Sequence, residues 1–278
     1  MARYAMLFDL NKCSGCYNCF MACKDEHCGH DHLPIAAAQP EMGHYWMNLV
    51  ERERGQYPHV KVASIPLTCL HCGAGKEEAP CIAAARDGAV YRRPDGIVII
   101  DPVKARGQRQ IVESCPYGVI YWNDAAQLPQ KCTLCAHLKD AGWAEPRCVE
   151  VCPTAAITYG DLDDPSSAIA QLAARGEVEV YPAKKTEAHS GYLNLPRTFI
   201  AGTVRYSDVD ECAAGAAVTL AGNGMKLATT TNAFGDFEFE GLDAGDYELT
   251  ISQPGYKPCT QSIALKTDTF IGKLVLQR

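Results

Sequence analysis

Twelve cysteines of this 278-residue chain stand at spacings that decide what they can bind. The first run is Cys13-x2-Cys16-x2-Cys19-x3-Cys23. Three thiolates at that spacing wrap one face of an iron–sulfur cubane, and the fourth is turned away to serve a second cluster. A structural zinc site wants four ligands at tetrahedral corners, usually from two separated Cys-x2-Cys pairs, and four cysteines packed into eleven residues fit that poorly. The last run, Cys132-x2-Cys135-x12-Cys148-x3-Cys152-Pro153, has the same logic with its third cysteine displaced by an insertion. Taken alone, it also suits a four-cysteine zinc site. In two-cluster ferredoxins the fourth cysteine of each run ligates the other cluster. By that rule Cys13, Cys16, Cys19 and Cys152 hold one [4Fe–4S] cluster, and Cys23, Cys132, Cys135 and Cys148 hold its partner.

Between these runs lies a depleted pair. Cys69-x2-Cys72-x8-Cys81 supplies three ligands, with Ala85 at the expected fourth position. Cys115-Pro116 has the ending of such a run, yet residues 82–114 contain no cysteine. The losses are complementary: Cys69, Cys72, Cys81 and Cys115 complete one cluster, while every ligand of a fourth is gone. Three clusters is the consistent count, and no catalytic residue is expected in this chain. Pro116 and Pro153 cannot donate a hydrogen bond and fix the turn that aims the preceding cysteine. Other backbone N–H groups would bond to sulfur and tune the cluster. Tyr117, Tyr121 and Trp122 read as packing against the cluster domain, not as redox relays. Cys28, Cys212 and Cys259 remain as free thiols, and His27, His30 and His32 around Gly29 read as a solvated loop.

The elements that must position these residues divide into two textures, an α+β arrangement. Residues 1–195 form the cysteine-rich domain, ending in a helix and a strap. Ser or Asp within Asp161–Ser167 caps that helix, Ile169, Leu172 and Ala173 share its inward face, and Gly176 ends it. Residues 182–197 read as a linker or strap. Residues 196–278 show short alternating runs broken by turns. Val218-Thr219-Leu220 leads into Gly222-Asn223-Gly224, a hairpin turn. Phe237 and Phe239, then Tyr247, Leu249 and Ile251, alternate with polar residues. Roughly seven such strands predict a small antiparallel β-sandwich.

A net charge of −7 argues against a nucleic-acid partner. No run approaches the roughly 18 consecutive apolar residues of a membrane span. Cys13 follows the N-terminal Met within a dozen residues, which leaves no room for a signal peptide. Fifteen cysteines in tight groups suit metal binding in a reducing cytoplasm better than a disulfide scaffold. Co-export with a partner that carries the signal is the alternative to a cytoplasmic location.

These motifs, together with Gly43-His44-Tyr45-Trp46-Met47-Asn48, Cys115-Pro116-Tyr117-Gly118 and Lys131-Cys132-Thr133-Leu134-Cys135-Ala136-His137, resemble the iron–sulfur subunits of the dimethyl-sulfoxide-reductase family of molybdopterin enzymes. Within that family the resemblance is to the branch of pyrogallol–phloroglucinol transhydroxylases, and it covers nearly the whole chain. It implies a duplicated ferredoxin-like domain with one cluster lost, and a C-terminal domain of transthyretin type. It further implies a large catalytic partner carrying molybdopterin guanine dinucleotide with molybdenum or tungsten, in a heterodimer or higher assembly acting on polyhydroxylated aromatics. The stretch from Cys152 to Pro165 looks more like the family's respiratory members. Phenol hydroxylases, catechol dehydroxylases and polysulfide- or formate-type respiratory enzymes are therefore the alternatives.

Overall fold

A computed structural model of the chain describes residues 2–73, 78–176, 178–184 and 186–278. The chain divides into two units: one runs up to Glu51 and resumes over Ser64–Leu195, the other comprises Arg52–Ala63 and Pro196–Arg278. Residues 52–63, placed in the first domain by sequence, thus group with the second. They form the outer end of a hairpin between strands Met47–Gln56 and His59–Thr68. Charge explains the grouping. Lys61 Nζ lies 2.5 Å from the Glu238 carboxylate and 3.0 Å from that of Glu240, and Arg54 lies 3.2 Å from Asp268. Both cations also stand over the Phe199 ring. Gly55, at φ +83°, permits this approach, because a Cβ there would meet Phe199 Cζ at 2.5 Å.

In the first unit the central strand Tyr4–Asp9 pairs antiparallel with Ile157–Asp161 and parallel with Gly191–Leu193. Its run Ala5-Met6-Leu7-Phe8 is buried on both faces, so it carries no polar alternation. Met6 and Phe8 join the large core with Trp46, Ile97 and Tyr192, while Ala5 and Leu7 pack on Ile169 of helix Ala168–Arg175. Ser167 caps that helix, its Oγ accepting the Ala170 N–H at 3.1 Å. Gly176 ends it as expected, in extended backbone; close packing requires the glycine, with Leu193 Cδ2 2.9 Å from where a Cβ would sit. The strap is partly structural, since Gly191–Leu193 within it is the third strand of this sheet. Three residues are too few to show a period.

Within the second unit, residues 196–278 form seven strands in two sheets. Asp236–Leu242, Thr198–Tyr206 and Thr269–Leu276 form one; Met225–Thr230, Ala217–Gly222, Gly245–Ser252 and Cys259–Leu265 form the other. Asn223 and Gly224 take φ 48° and 75°, the two-residue hairpin turn. Phe237, Phe239, Tyr247, Leu249 and Ile251 all face the shared core. The sandwich is not wholly antiparallel, for Thr198–Tyr206 and Thr269–Leu276 run parallel. The chain enters the last strand by crossing from the other sheet, so no hairpin dictates its direction. Ile251 is fully buried at the centre of this core. Ile251→Ala is expected to destabilise the unit by about 2–5 kcal/mol, read as a lowered thermal unfolding midpoint by circular dichroism.

Candidate metal centres

The twelve cysteines gather in three groups of four, all within the first unit. Cys13, Cys16, Cys19 and Cys152 line one hollow of about 350 Å³ with Leu49, Pro66 and Ile157. Sheet register brings them together: Phe8 pairs with Ile157, and the Asp9 N–H donates to the Ala156 carbonyl at 2.8 Å. Residues over a hundred positions apart thereby face each other. Gly15, at φ +69°, lets the loop between Cys13 and Cys16 lie against Ser64, where a Cβ would meet Ser64 Oγ at 2.6 Å. The Ala156 N–H donates to Cys152 Sγ at 3.3 Å. Burial, followed by repulsion from Cys13, Cys16 and Cys152, pushes the Cys19 thiol up to about 11, against a backbone N–H from Phe20. Cys16 is exposed, so this cradle opens to solvent.

Helix Asn18–His27 carries Cys19 and Cys23 one turn apart, and they serve neighbouring cradles. Cys23, Cys132, Cys135 and Cys148 form the second, and all four are buried. Burial and then the neighbouring thiols drive Cys23 and Cys148 well above the ordinary thiol range, and Cys135 up to about 12. The Leu134 N–H donates to Cys132 Sγ at 3.4 Å, and His27 Nε2 lies 3.7 Å from Cys135 Sγ. Cys69, Cys72, Cys81 and Cys115 line the third cradle, another hollow of about 350 Å³, with His71, Val98 and Tyr117. Burial raises Cys72 to about 11 and Cys81 to about 12. Burial raises the Cys115 thiol too, and backbone N–H groups from Val119, Tyr117 and Gly118 offset only part of that. Thr186, in the strap, bonds the Tyr117 hydroxyl and lies 3.7 Å from Cys72 Sγ, a contact the sequence reading missed. The second cradle neighbours both of the others. Cys148 and Cys23 feel Cys19 of the first, and Cys132 feels Cys69 of the third.

The cysteine-free stretch before Cys115 is packed with apolar side chains. Counting back from Cys115 at the spacing of the first run reaches Ile111, Gln108 and Ala105. Ala105 and Ile111 are fully buried in a separate apolar core with Ala89, Val98 and Ile120, against which Ala85 packs. Gln108 instead ties the loop, accepting the Arg86 N–H at 2.8 Å.

His27 is not in a solvated loop, as the sequence reading had it. It is buried and held neutral by that burial, then by His137 and His32, which lower its pKa to about 3. His30 is exposed. The ligand atoms of His27, His32 and His137 lie within 4.8 Å of one another. His32 stacks on His137 at 3.7 Å and 15°, whereas two imidazoles aimed at one tetrahedral ion hold their ring centres roughly 5 Å apart. The group is a network around Glu26, which accepts from His137 at 2.9 Å and pairs with Arg147 at 3.4 Å. Cys28, Cys212 and Cys259 are free thiols outside the cradles. Tyr121 packs as expected, donating to the Tyr45 carbonyl at 3.1 Å, and Trp122 lies under the Arg109 guanidinium.

The donor sets fit iron–sulfur clusters. Four thiols crowded in one desolvated space resist becoming four thiolates, so a polycation must take the place of their protons. Soft all-thiolate sets with backbone N–H groups directed at sulfur are the surroundings such clusters use.

Comparison with known proteins agrees. Residues 60–162 match the family described as 4Fe-4S dicluster domain, and residues 199–271 the family described as carboxypeptidase regulatory-like domain. The chain is 41% identical to the pyrogallol hydroxytransferase small subunit of Pelobacter acidigallici, over 92% of each chain. It is 35% identical to a tetrathionate reductase subunit of Salmonella typhimurium, over 71% of this chain and 75% of that one. It is 32% identical to a sulfite dehydrogenase subunit of Allochromatium vinosum, over 71% and 85%. Among the described residues no helix is long and apolar enough to cross a membrane.

The raised thiols set a pH dependence. Cluster assembly must displace protons that Cys19, Cys72, Cys81 and Cys135 hold up to about 11 or 12. Anaerobic reconstitution of the iron-free chain is expected to release protons and to weaken steeply as pH falls from about 9 to about 6, measured as iron retained after desalting.

Proposed function

Since the chain belongs to the iron–sulfur electron-transfer subunits of the dimethyl-sulfoxide-reductase family of molybdoenzymes, we propose that it carries three [4Fe–4S] clusters for a large molybdopterin subunit acting on polyhydroxylated aromatics. One observation carries the substrate class. The 41% identity to a pyrogallol hydroxytransferase small subunit spans 92% of the chain, which necessarily takes in most of the second unit, whereas the tetrathionate and sulfite relatives match over 71%. The second reading is a phenol hydroxylase, a catechol dehydroxylase or a respiratory molybdoenzyme of polysulfide or formate type. The match of a shared core to tetrathionate and sulfite enzymes favours its respiratory form.

A [4Fe–4S] cluster, when bound, supplies one-electron storage at a potential set by its surroundings. The chain's own residues do the rest. Cys13, Cys16, Cys19 and Cys152 would hold the first, at a cradle open to solvent through Cys16. Cys23, Cys132, Cys135 and Cys148 would hold the second, and the apolar core around Met6, Trp46 and Leu134 excludes water from it. Cys69, Cys72, Cys81 and Cys115 would hold the third. We read the stretch from Cys69 to Cys115 as a diverged copy of the ferredoxin-like pair, its fourth ligand set replaced by Ala85, Ala105, Gln108 and Ile111. Substrate chemistry belongs to the partner, with molybdopterin guanine dinucleotide and molybdenum or tungsten there. We place the complex in the cytoplasm, with no nucleic-acid partner and no insertion in a membrane.

The test is anaerobic purification of the native complex with metals counted per chain. About twelve irons with molybdenum or tungsten on the large subunit, and turnover of phenolic substrates, are expected. Zinc with little iron sinks the reading. Cys72→Ser is expected to leave about eight irons per chain; unchanged iron would show that Cys72 is not a ligand.

A further inference from the structure

Lys131 is 3% exposed, an unusual place for an ammonium. Its Nζ donates to the Val98 carbonyl at 2.5 Å and to the Cys132 carbonyl at 3.1 Å. Both of these partners are neutral backbone carbonyls. The two carbonyls belong to different cradles, since Val98 lines the third and Cys132 is part of the second. That placement sets it against both of these cradles, whereas the first cradle opens to solvent through Cys16.

A buried ammonium is costly unless anions face it. Four thiolates around an oxidised cluster leave a net charge of about −2, and reduction adds one electron without making or breaking a bond. A fixed cation therefore favours the reduced state wherever its field reaches through low-dielectric surroundings. Arg92 adds a second cation at the third cradle, donating to the Cys72 carbonyl at 2.5 Å, and Arg147 another at the second. Among the described residues, Lys131 is the cation bonded to carbonyls of both cradles.

We propose that Lys131 is the shared counter-cation of the second and third cradles, raising the reduction potentials of the clusters held in both and leaving that of the first unchanged. This rests on the three-cradle reading. An iron count far from about twelve per wild-type chain would fail that reading, whereas full iron with unmoved potentials would fail this inference alone.

The experiment compares the anaerobically purified native complex with its Lys131→Met and Lys131→Arg variants. Iron is counted, and the paramagnetic signals are followed by electron paramagnetic resonance in a dithionite titration at fixed pH. In Lys131→Met, two of the three reduction waves are expected to move to lower potential by at least a tenfold change in the one-electron equilibrium, about 59 mV. The third wave should hold, and Lys131→Arg should restore most of the shift. Three unmoved waves at full iron would overturn the proposal, as would equal shifts in both variants. Should Lys131→Met lose iron, retention of iron by Lys131→Arg supports a charge requirement, and loss from both variants assigns Lys131 to packing and overturns it.

Discussion

The antiparallel register between Tyr4–Asp9 and Ile157–Asp161 is the constraint on which the cradles depend. Each of the two outer cysteine runs provides three members of one cradle and one of the other, so neither cradle can close until both ends of the cysteine-rich region meet. The sheet makes that meeting specific. Because strand side chains alternate, a slip of one residue would send Met6 and Phe8 out of the large core and expose them. The same slip would carry Cys152 away from Cys13 and Cys19. Packing and ligand geometry therefore demand the same register, and the apolar strand is as much a part of the cradles as the thiols.

Much of this was legible in the sequence where a local rule had a local consequence. The cysteine spacing pointed to the exchange between runs, Asn223-Gly224 to a hairpin, and Ser167 to a helix start. Alternation at Phe237, Phe239, Leu249 and Ile251 marked one face of a sandwich. What escaped was decided at a distance. Gly191–Leu193 is a strand only because Tyr4–Asp9 offers it an edge. Residues 52–63 group with the second unit because Lys61 meets Glu238 and Glu240, nearly 180 positions away. His27 sits in a segment that looks polar, yet Trp46 and His137 fold over it. Lys131 looked like one residue of a motif until its burial and its two carbonyl partners were seen.

Electrostatics set the three cradles apart more than their ligands do. All are four-thiol sets, but the first opens to solvent, which screens charge, while the second is wholly buried. A buried set depends on whatever fixed dipoles and cations the fold can aim at it. Here these are the Leu134 N–H, His27, Arg147 and Lys131. The third adds the backbone N–H groups around Cys115 and the Arg92 side chain.

The cysteine-free stretch before Cys115 fills its space with apolar side chains. A partial ligand set would leave thiols crowded in a desolvated hollow, with their mutual repulsion and no cation to relieve it. An empty hollow would also forfeit the packing that holds the neighbouring cradle. Alanine and isoleucine avoid both costs at once. Ala105 and Ile111 close the space, and Val98 and Ile120 pack on that core while also lining the third cradle. The apolar core around Ala105 and Ile111 is thus the wall that shapes the third cradle.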